Sequence, residues 1–130
     1  MKVHPSKYFD LALTLLRIIS SFLFMPHGAQ KLLGWFGGRA AAFPELMWFA
    51  GVLELFGGLL ILLGLLTRPV AFILAGQMAV AYFMSHAWRG FWPIVNRGEL
   101  AALYCFIFLL LVTTGAGPYS LDRLRQRKSH

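Results

Sequence analysis

The chain has 130 residues, of which 58% are hydrophobic and 13% charged, with a formal net charge of +7. A soluble domain carries about 25% charged and about 45–50% apolar residues, so this balance excludes an ordinary soluble globule and points to one domain of membrane-spanning helices. The basic residues sit at the edges of apolar blocks, with no basic helix face interleaved with aromatics, which excludes nucleic acid as a partner; the single cysteine, Cys105, excludes an intrachain disulfide, a CxxC redox pair and a four-cysteine zinc site.

The first apolar block predicts a helix over about 11–33, holding Arg17 and ending in the polar cluster His27, Gln30 and Lys31. Lys2 and Lys7 precede it, but no A-x-A cleavage pattern follows, so it is expected to stay as a membrane helix rather than leave as a signal peptide. Pro26 is expected to kink it and free the carbonyl of Phe22. Pro44 precedes the second block, 46–66, which contains Glu54. The third, 70–87, is opened by Pro69, whose missing N–H costs nothing there, and carries Gln77 and His86. The fourth is the shortest and must include Glu99 and Gly115, over 99–115, to approach the roughly 20 residues that a spanning helix needs. The rival count is three spans with this block lying at the interface. Gly115, Gly117 and Pro118 end it.

The tight link Thr67-Arg68-Pro69 makes the second and third helices antiparallel neighbours. The longer loops near 34–45 and 88–98 share the other face. The expected fold is therefore all-α, an integral membrane four-helix transmembrane bundle over 1–119. A basic tail follows over 120–130, where Ser120 caps a short helix and basic residues anchor to anionic lipid. Lys2, Lys7, Arg68, Arg123, Arg125, Arg127 and Lys128 fall on one side of this topology, and Lys31, Arg39, Arg89 and Arg97 on the other. The larger basic count places the N- and C-termini in the cytoplasm.

Ionisable groups inside hydrocarbon cost roughly 2.5–3.5 kcal/mol each on insertion scales, which singles out Arg17 and Glu54. Arg17, Ser21, Phe24, Gly28 and Lys31 recur at spacings of three and four and form one helical stripe. Gly51, Glu54, Gly57, Gly58 and Gly64 form a small-residue face on the second helix, as close helix packing in membranes favours. Both stripes are expected to face inward, with Glu54 paired to Arg17 or Lys31. Such a pair, or a protonated carboxyl, explains Glu54 without any activity. The sharper reading is a proton or ligand group in a cavity between helices.

A polar pocket is expected at the outer face from His27, Gln30, Lys31, His86, Asn96 and Glu99, with Glu54 beneath. Together with Arg17 and Gln77 these are the candidate site residues. Two histidines and two carboxylates are suitable donors for a divalent metal, but no HxxxH or ExxH spacing supports one, and no metal is expected. Trp35, Trp48, Trp88 and Trp92 fit an interfacial belt, with stacking on a quinone ring as the alternative. Cys105 reads as a small packing residue.

Several motifs in order resemble one family. His27-Gly28-x-x-Lys31 is followed by Ala50-Gly51-x-x-Glu54-x-x-Gly57-Gly58 and by Gly64-Leu65-Leu66-Thr67-Arg68. Asn96-Arg97-Gly98-Glu99 and Gly115-x-Gly117-Pro118-x-Ser120-Leu121-Asp122 complete the set. Together they resemble the DoxX family over nearly the whole chain. The family usually reads Asn-Gly-Gly-Glu where Arg97 stands here, so the backbone of that loop is expected to differ. The resemblance implies a multi-pass, four-helix protein of the bacterial cytoplasmic (inner) membrane, linked to oxidoreductase activity. A related family supplies a membrane subunit of a thiosulfate:quinone oxidoreductase. By correspondence it carries over His27, Lys31, Glu54, Asn96 and Glu99, with no catalytic role attached to any of them.

Three functions compete. The first is a redox-linked membrane subunit or accessory protein that binds a quinone or a small sulfur compound in the outer pocket. The chain has no GxGxxG, haem pair or iron–sulfur cysteines. No cofactor is therefore expected within the chain itself, and a bound quinone would supply the redox chemistry, with His27 or Glu54 relaying protons and a redox partner protein handling electrons. The second is a small-solute or proton transport module, which would need a homo-oligomer. The third is a scaffold that docks a soluble partner through the tail or outer loops. Membrane lipids are partners in all three.

Overall fold

In the computed structural model, residues 6–128 are described and are helical throughout their regular parts. The tail residues 129–130, and Lys2 of the topology count, lie outside them. Helix α1 is Lys7–Leu33, capped by Ser6, whose Oγ accepts the N–H of Phe9 at 3.2 Å. Helix α2 is Leu46–Leu63, α3 is Thr67–Ser85, α4 is Glu99–Thr114 and α5 is Leu121–Lys128. A 3-10 turn at Ala87–Arg89 and a helical turn at Pro93–Asn96 bridge α3 and α4.

Three helices, α1, α2 and α3 with its following turn, are long and apolar enough to cross a membrane; α4 is apolar but has 16 residues. At 1.5 Å per residue α4 spans about 24 Å, against about 30 Å of hydrocarbon.

Elements differ from the sequence reading at four points. Helix α1 begins at Lys7. Helix α2 ends at Leu63, and Leu53–Gly57 within it forms a π turn, which apolar periodicity does not reveal. Helix α3 begins at Thr67, so Pro69 sits in its first turn, where its missing N–H has no partner to lose. It ends at Ser85, and His86 follows it.

Two antiparallel pairs make the bundle: α1 lies along α2, and α3 along α4. Both predicted stripes face inward: Arg17, Ser21, Phe24 and Gly28 on α1, and Gly51, Glu54, Gly57, Gly58 and Gly64, are buried. Phe24 joins the pairs by packing edge-on against Tyr104 and Phe108 of α4, with ring centroids 5.0 Å apart in each case. Around them Ile61, Ala71, Leu74 and Leu111 are fully buried, and Cys105 packs against this core as a small apolar residue. Large side chains such as Phe22, Phe72 and Phe106 point outward, more than 60% exposed, as lipid-facing surfaces require.

Closest approach of α1 and α2 occurs at glycines. A Cβ on Gly28 would lie 2.4 Å from the Leu55 nitrogen and 2.8 Å from the Gly51 carbonyl oxygen. Only glycine permits that backbone contact.

The end of the bundle holding the α2–α3 turn is closed by hydrogen bonds. Leu66 takes a left-handed φ of 52°, costly for leucine. Asp122 offsets this cost, its Oδ1 accepting the N–H of Leu66 at 2.8 Å and its Oδ2 that of Thr67 at 3.0 Å. Asp122 N–H in turn donates to Gly64 O at 2.8 Å. Ser120 Oγ accepts Arg123 N–H at 3.3 Å, the predicted cap of the short helix.

Substituting Gly28 with Ala is expected to force α1 and α2 apart and cost about 1–3 kcal/mol. Gly76→Ala is the control: its Cβ meets nothing within 4 Å, and the helix interior should gain up to about 1 kcal/mol. Thermal unfolding in detergent measures both, and equal shifts would show that helix approach is not limiting. Asp122→Ala is expected to cost about 0.5–2 kcal/mol through the two lost caps, read in the same assay.

Candidate functional site

Opposite the closed end, a cavity of about 450 Å³ lies between the two helix pairs, within the range of about 300–1,000 Å³ typical of small-molecule sites. Its polar lining includes His27, Lys31, Glu54, Gln77, His86 and Arg97, and its apolar lining includes Phe24, Met78 and Tyr104.

The ion pair at its centre follows from the glycine contact. Lys31 is three residues beyond Gly28 and Glu54 three beyond Gly51. On antiparallel helices these steps run in opposite directions, about 4.5 Å each along the axes. Helical side chains lean toward their own N-terminus, so here the two lean toward each other and close the gap. Lys31 Nζ reaches Glu54 Oε1 at 2.5 Å and Oε2 at 2.6 Å. The Glu54 side chain is 3% exposed and that of Lys31 23%. The carboxylate is thus sealed in, while the ammonium faces the cavity with a third donor to spare.

Gln77 of α3 adds a contact to α2. The carbonyl of Ala50, three residues before the π turn, accepts the Nε2 amide of Gln77 at 3.3 Å. Because that carbonyl can only accept, the amide nitrogen must face it. Oε1 of Gln77 is left buried with no hydrogen-bond partner among the described residues. His27 packs edge-on against Tyr104 with centroids 6.3 Å apart.

His86 is fixed from behind, its Nδ1 lying 3.1 Å from the carbonyl oxygen of Asn96. Asn96 is fully buried. Its Nδ2 donates to Tyr82 Oη at 3.0 Å and to Gly90 O at 2.9 Å, and its Oδ1 accepts Gly98 N–H at 2.7 Å. It pins the α3–α4 connection and does not line the cavity. Glu99 starts α4 on an exposed face, also outside the cavity.

Arg17 is at the other end of the bundle. Fourteen residues separate it from Lys31, about 21 Å of helix, so Glu54 pairs with Lys31 and not with Arg17. The Arg17 guanidinium is 2% exposed and donates from Nη1 to Ala116 O and from Nη2 to Tyr119 O at 3.0 Å.

Arg97, Tyr104, Phe24 and Met78 are cavity residues that the polar pattern did not select. Arg97 adopts φ 62°, the left-handed conformation natural to glycine, and adds a cation to the wall. Among the described residues no group of three or more His, Cys, Asp or Glu is placed to hold a metal.

The DoxX family model matches residues 12–87, which include most of α1, all of α2 and α3, and His27, Lys31, Glu54, Gln77 and His86 of the cavity wall. The chain is 45% identical over 123 residues to an uncharacterized protein of Haemophilus influenzae, covering 89% of this chain and 92% of that one. It is 33% identical to "Inner membrane protein YqjF" of Escherichia coli, covering 92% and 95%. It is 34% identical to "Putative oxidoreductase CatD" of Bacillus subtilis, covering 90% and 89%. No solved structure matches significantly. A family match over more than half the chain, relatives aligned along nearly its whole length and helices suited to hydrocarbon agree: the chain is a membrane protein of the DoxX family.

Proposed function

We propose that this DoxX protein is a redox-linked membrane subunit whose cavity binds a quinone, with a partner protein handling the electrons. The observation that carries this reading is the cavity lining: an ammonium held by a buried carboxylate faces a floor of aromatic and thioether side chains. A flat ring bearing oxygen at its edge suits both halves. The oxidoreductase name of the Bacillus subtilis relative supports the class of chemistry.

The residues present fit a quinone in both redox forms. Lys31 has an N–H to spare for a ring carbonyl oxygen, and the unpartnered Oε1 of Gln77 would accept from a ring hydroxyl. Tyr104 and Phe24 offer faces and edges for packing, and Met78 adapts to an irregular outline. When bound, the quinone supplies two-electron, two-proton redox chemistry. Glu54 and His27 would accept protons at the wall, and Lys31 holds the Glu54 carboxylate in place between transfers. A small reduced-sulfur compound would use the same cations, without a role for the aromatic floor.

We also read four spans, with α4 tilted little and its ends completed by flanking turns, in the bacterial inner membrane. The Lys and Arg distribution supports cytoplasmic termini, which turns the cavity toward the outer side. The Escherichia coli relative's name supports the compartment.

Protein purified in mild detergent should retain or bind about one quinone per chain, measured by solvent extraction and mass spectrometry or by titration with a short-chain quinone. Breaking the ion pair with Lys31→Met should destabilise the fold by about 3–5 kcal/mol, while Lys31→Met with Glu54→Met should largely restore it. The restored double variant should still have lost at least about tenfold in quinone affinity, since each removed charge-assisted hydrogen bond is worth about 1.5–3 kcal/mol. Folded wild-type protein that neither retains nor binds any quinone overturns the reading.

A further inference from the structure

We propose that the closed end of the bundle carries a second binding site, for the phosphate headgroup of an acidic phospholipid. A cleft of about 720 Å³ lies there between the α2–α3 turn, the end of α4 and α5. Its cations are Arg68, Arg123 and Arg125. Its carboxylates are Asp10 and Asp122, of which Asp122 is committed to the two N–H groups that it caps. The redox reading does not use this cleft, and the two sites stand or fall separately.

Two features mark the cleft as more than a diffusely basic end. Arg68 is positioned: its Nη1 donates to Val112 O at 3.1 Å and Thr113 O at 2.9 Å, leaving Nη2 and Nε free of these bonds. Gly115 gives it room, since a Cβ there would come within 3.3 Å of Arg68 Nε. Thr67 is the second feature. It lines the cleft and is 1% exposed, and its Oγ1 has no hydrogen-bond partner among the described residues. A buried hydroxyl without a partner is costly, and an anionic oxygen would satisfy it. Arg123 and Arg125, on the first turns of α5, have side chains with no hydrogen bond or ion pair among the described residues. Guanidinium groups favour phosphate through paired donors.

A lipid, rather than a soluble phosphate, follows from the setting. Tyr119, Leu121 and Leu124 are exposed beside the cleft, at the level where helices α2 and α3 turn. Apolar residues at that depth suit glycerol and acyl chains, and the arginines suit the charge at the headgroup layer.

Full-length protein in a neutral detergent would be titrated with phosphatidylglycerol, phosphatidylcholine or soluble glycerol 3-phosphate, with binding read by native mass spectrometry. Phosphatidylglycerol should bind at least about tenfold more tightly than phosphatidylcholine, given about 1 kcal/mol per basic residue near an anionic surface. Arg123→Gln with Arg125→Gln should abolish that preference. Arg127→Gln with Lys128→Gln, which removes equal charge outside the cleft, should leave it intact. Thr67→Val should lower phosphatidylglycerol affinity while leaving thermal stability without lipid unchanged or higher. Equal binding of the two lipids, or equal effects of the two charge-removing pairs, overturns the proposal. So does glycerol 3-phosphate binding as well as the lipid, which would make this a soluble-anion site.

Discussion

Polar groups sealed from water must find partners within the protein, and in this chain that constraint organises both ends of the bundle. At one end the sealed group is a carboxylate, Glu54, and its partner is the Lys31 ammonium. At the other end the groups in need are backbone carbonyls and amides. Arg17 and Arg68 satisfy carbonyls of residues 112–119, and Asp122 satisfies amides of the α2–α3 turn. Short α4 and the irregular chain after it are tolerable at that depth because two arginines take up their free carbonyls.

The two ends therefore differ in kind. Where arginine binds carbonyls, side chain and backbone are locked together over long sequence separations, and the helices cannot part there without exposing several polar groups at once. Where Lys31 meets Glu54, one ion pair joins α1 to α2, Gln77 of α3 adds a bond to Ala50, and open volume separates much of α3 and α4 from them. The glycine contact at Gly28 and Gly51 draws α1 and α2 close, while the bulk of Phe24, Tyr104 and Phe108 holds the two pairs together lower down. The cavity occupies the space above that aromatic cluster. Its position follows from where small residues end and large ones begin.

Much of this was legible in the sequence because burial in helices has a period. Arg17, Ser21, Phe24 and Gly28 all turned inward, as did Gly51, Glu54, Gly57 and Gly58, and the convergence of His27, Lys31, Glu54, Gln77 and His86 on one cavity follows from helix length and alternating direction. Other features left no readable trace. The partners of Arg17 are backbone carbonyls, which every residue possesses and no sequence pattern marks. The π turn in α2 has no composition of its own. Asn96 and Glu99 were expected in the pocket, but the turn at 86–98 folds Asn96 beneath His86 and swings Glu99 outward. Apolar wall residues such as Met78 were invisible because lipid-facing and cavity-facing side chains share one composition.

The family motifs divide along the same line. Gly64–Arg68 and Gly115–Asp122 meet at the closed end, where Gly64 has no room for a side chain against Ser120 and Asp122 spans the turn. His27, Lys31 and Glu54 meet at the cavity. A motif by itself cannot tell these duties apart, since both demand fixed residues at fixed spacing. The partners separate them: Asp122, with both oxygens taken by backbone N–H groups, holds the fold, whereas Lys31 with a donor to spare and Gln77 with an unanswered oxygen retain capacity for something that is not part of the chain. Unspent hydrogen-bonding capacity beside open volume is the physical signature of a site rather than a brace, and in this bundle it occurs over the apolar floor at Lys31 and Gln77 and, at the closed end, at Thr67 and Arg68.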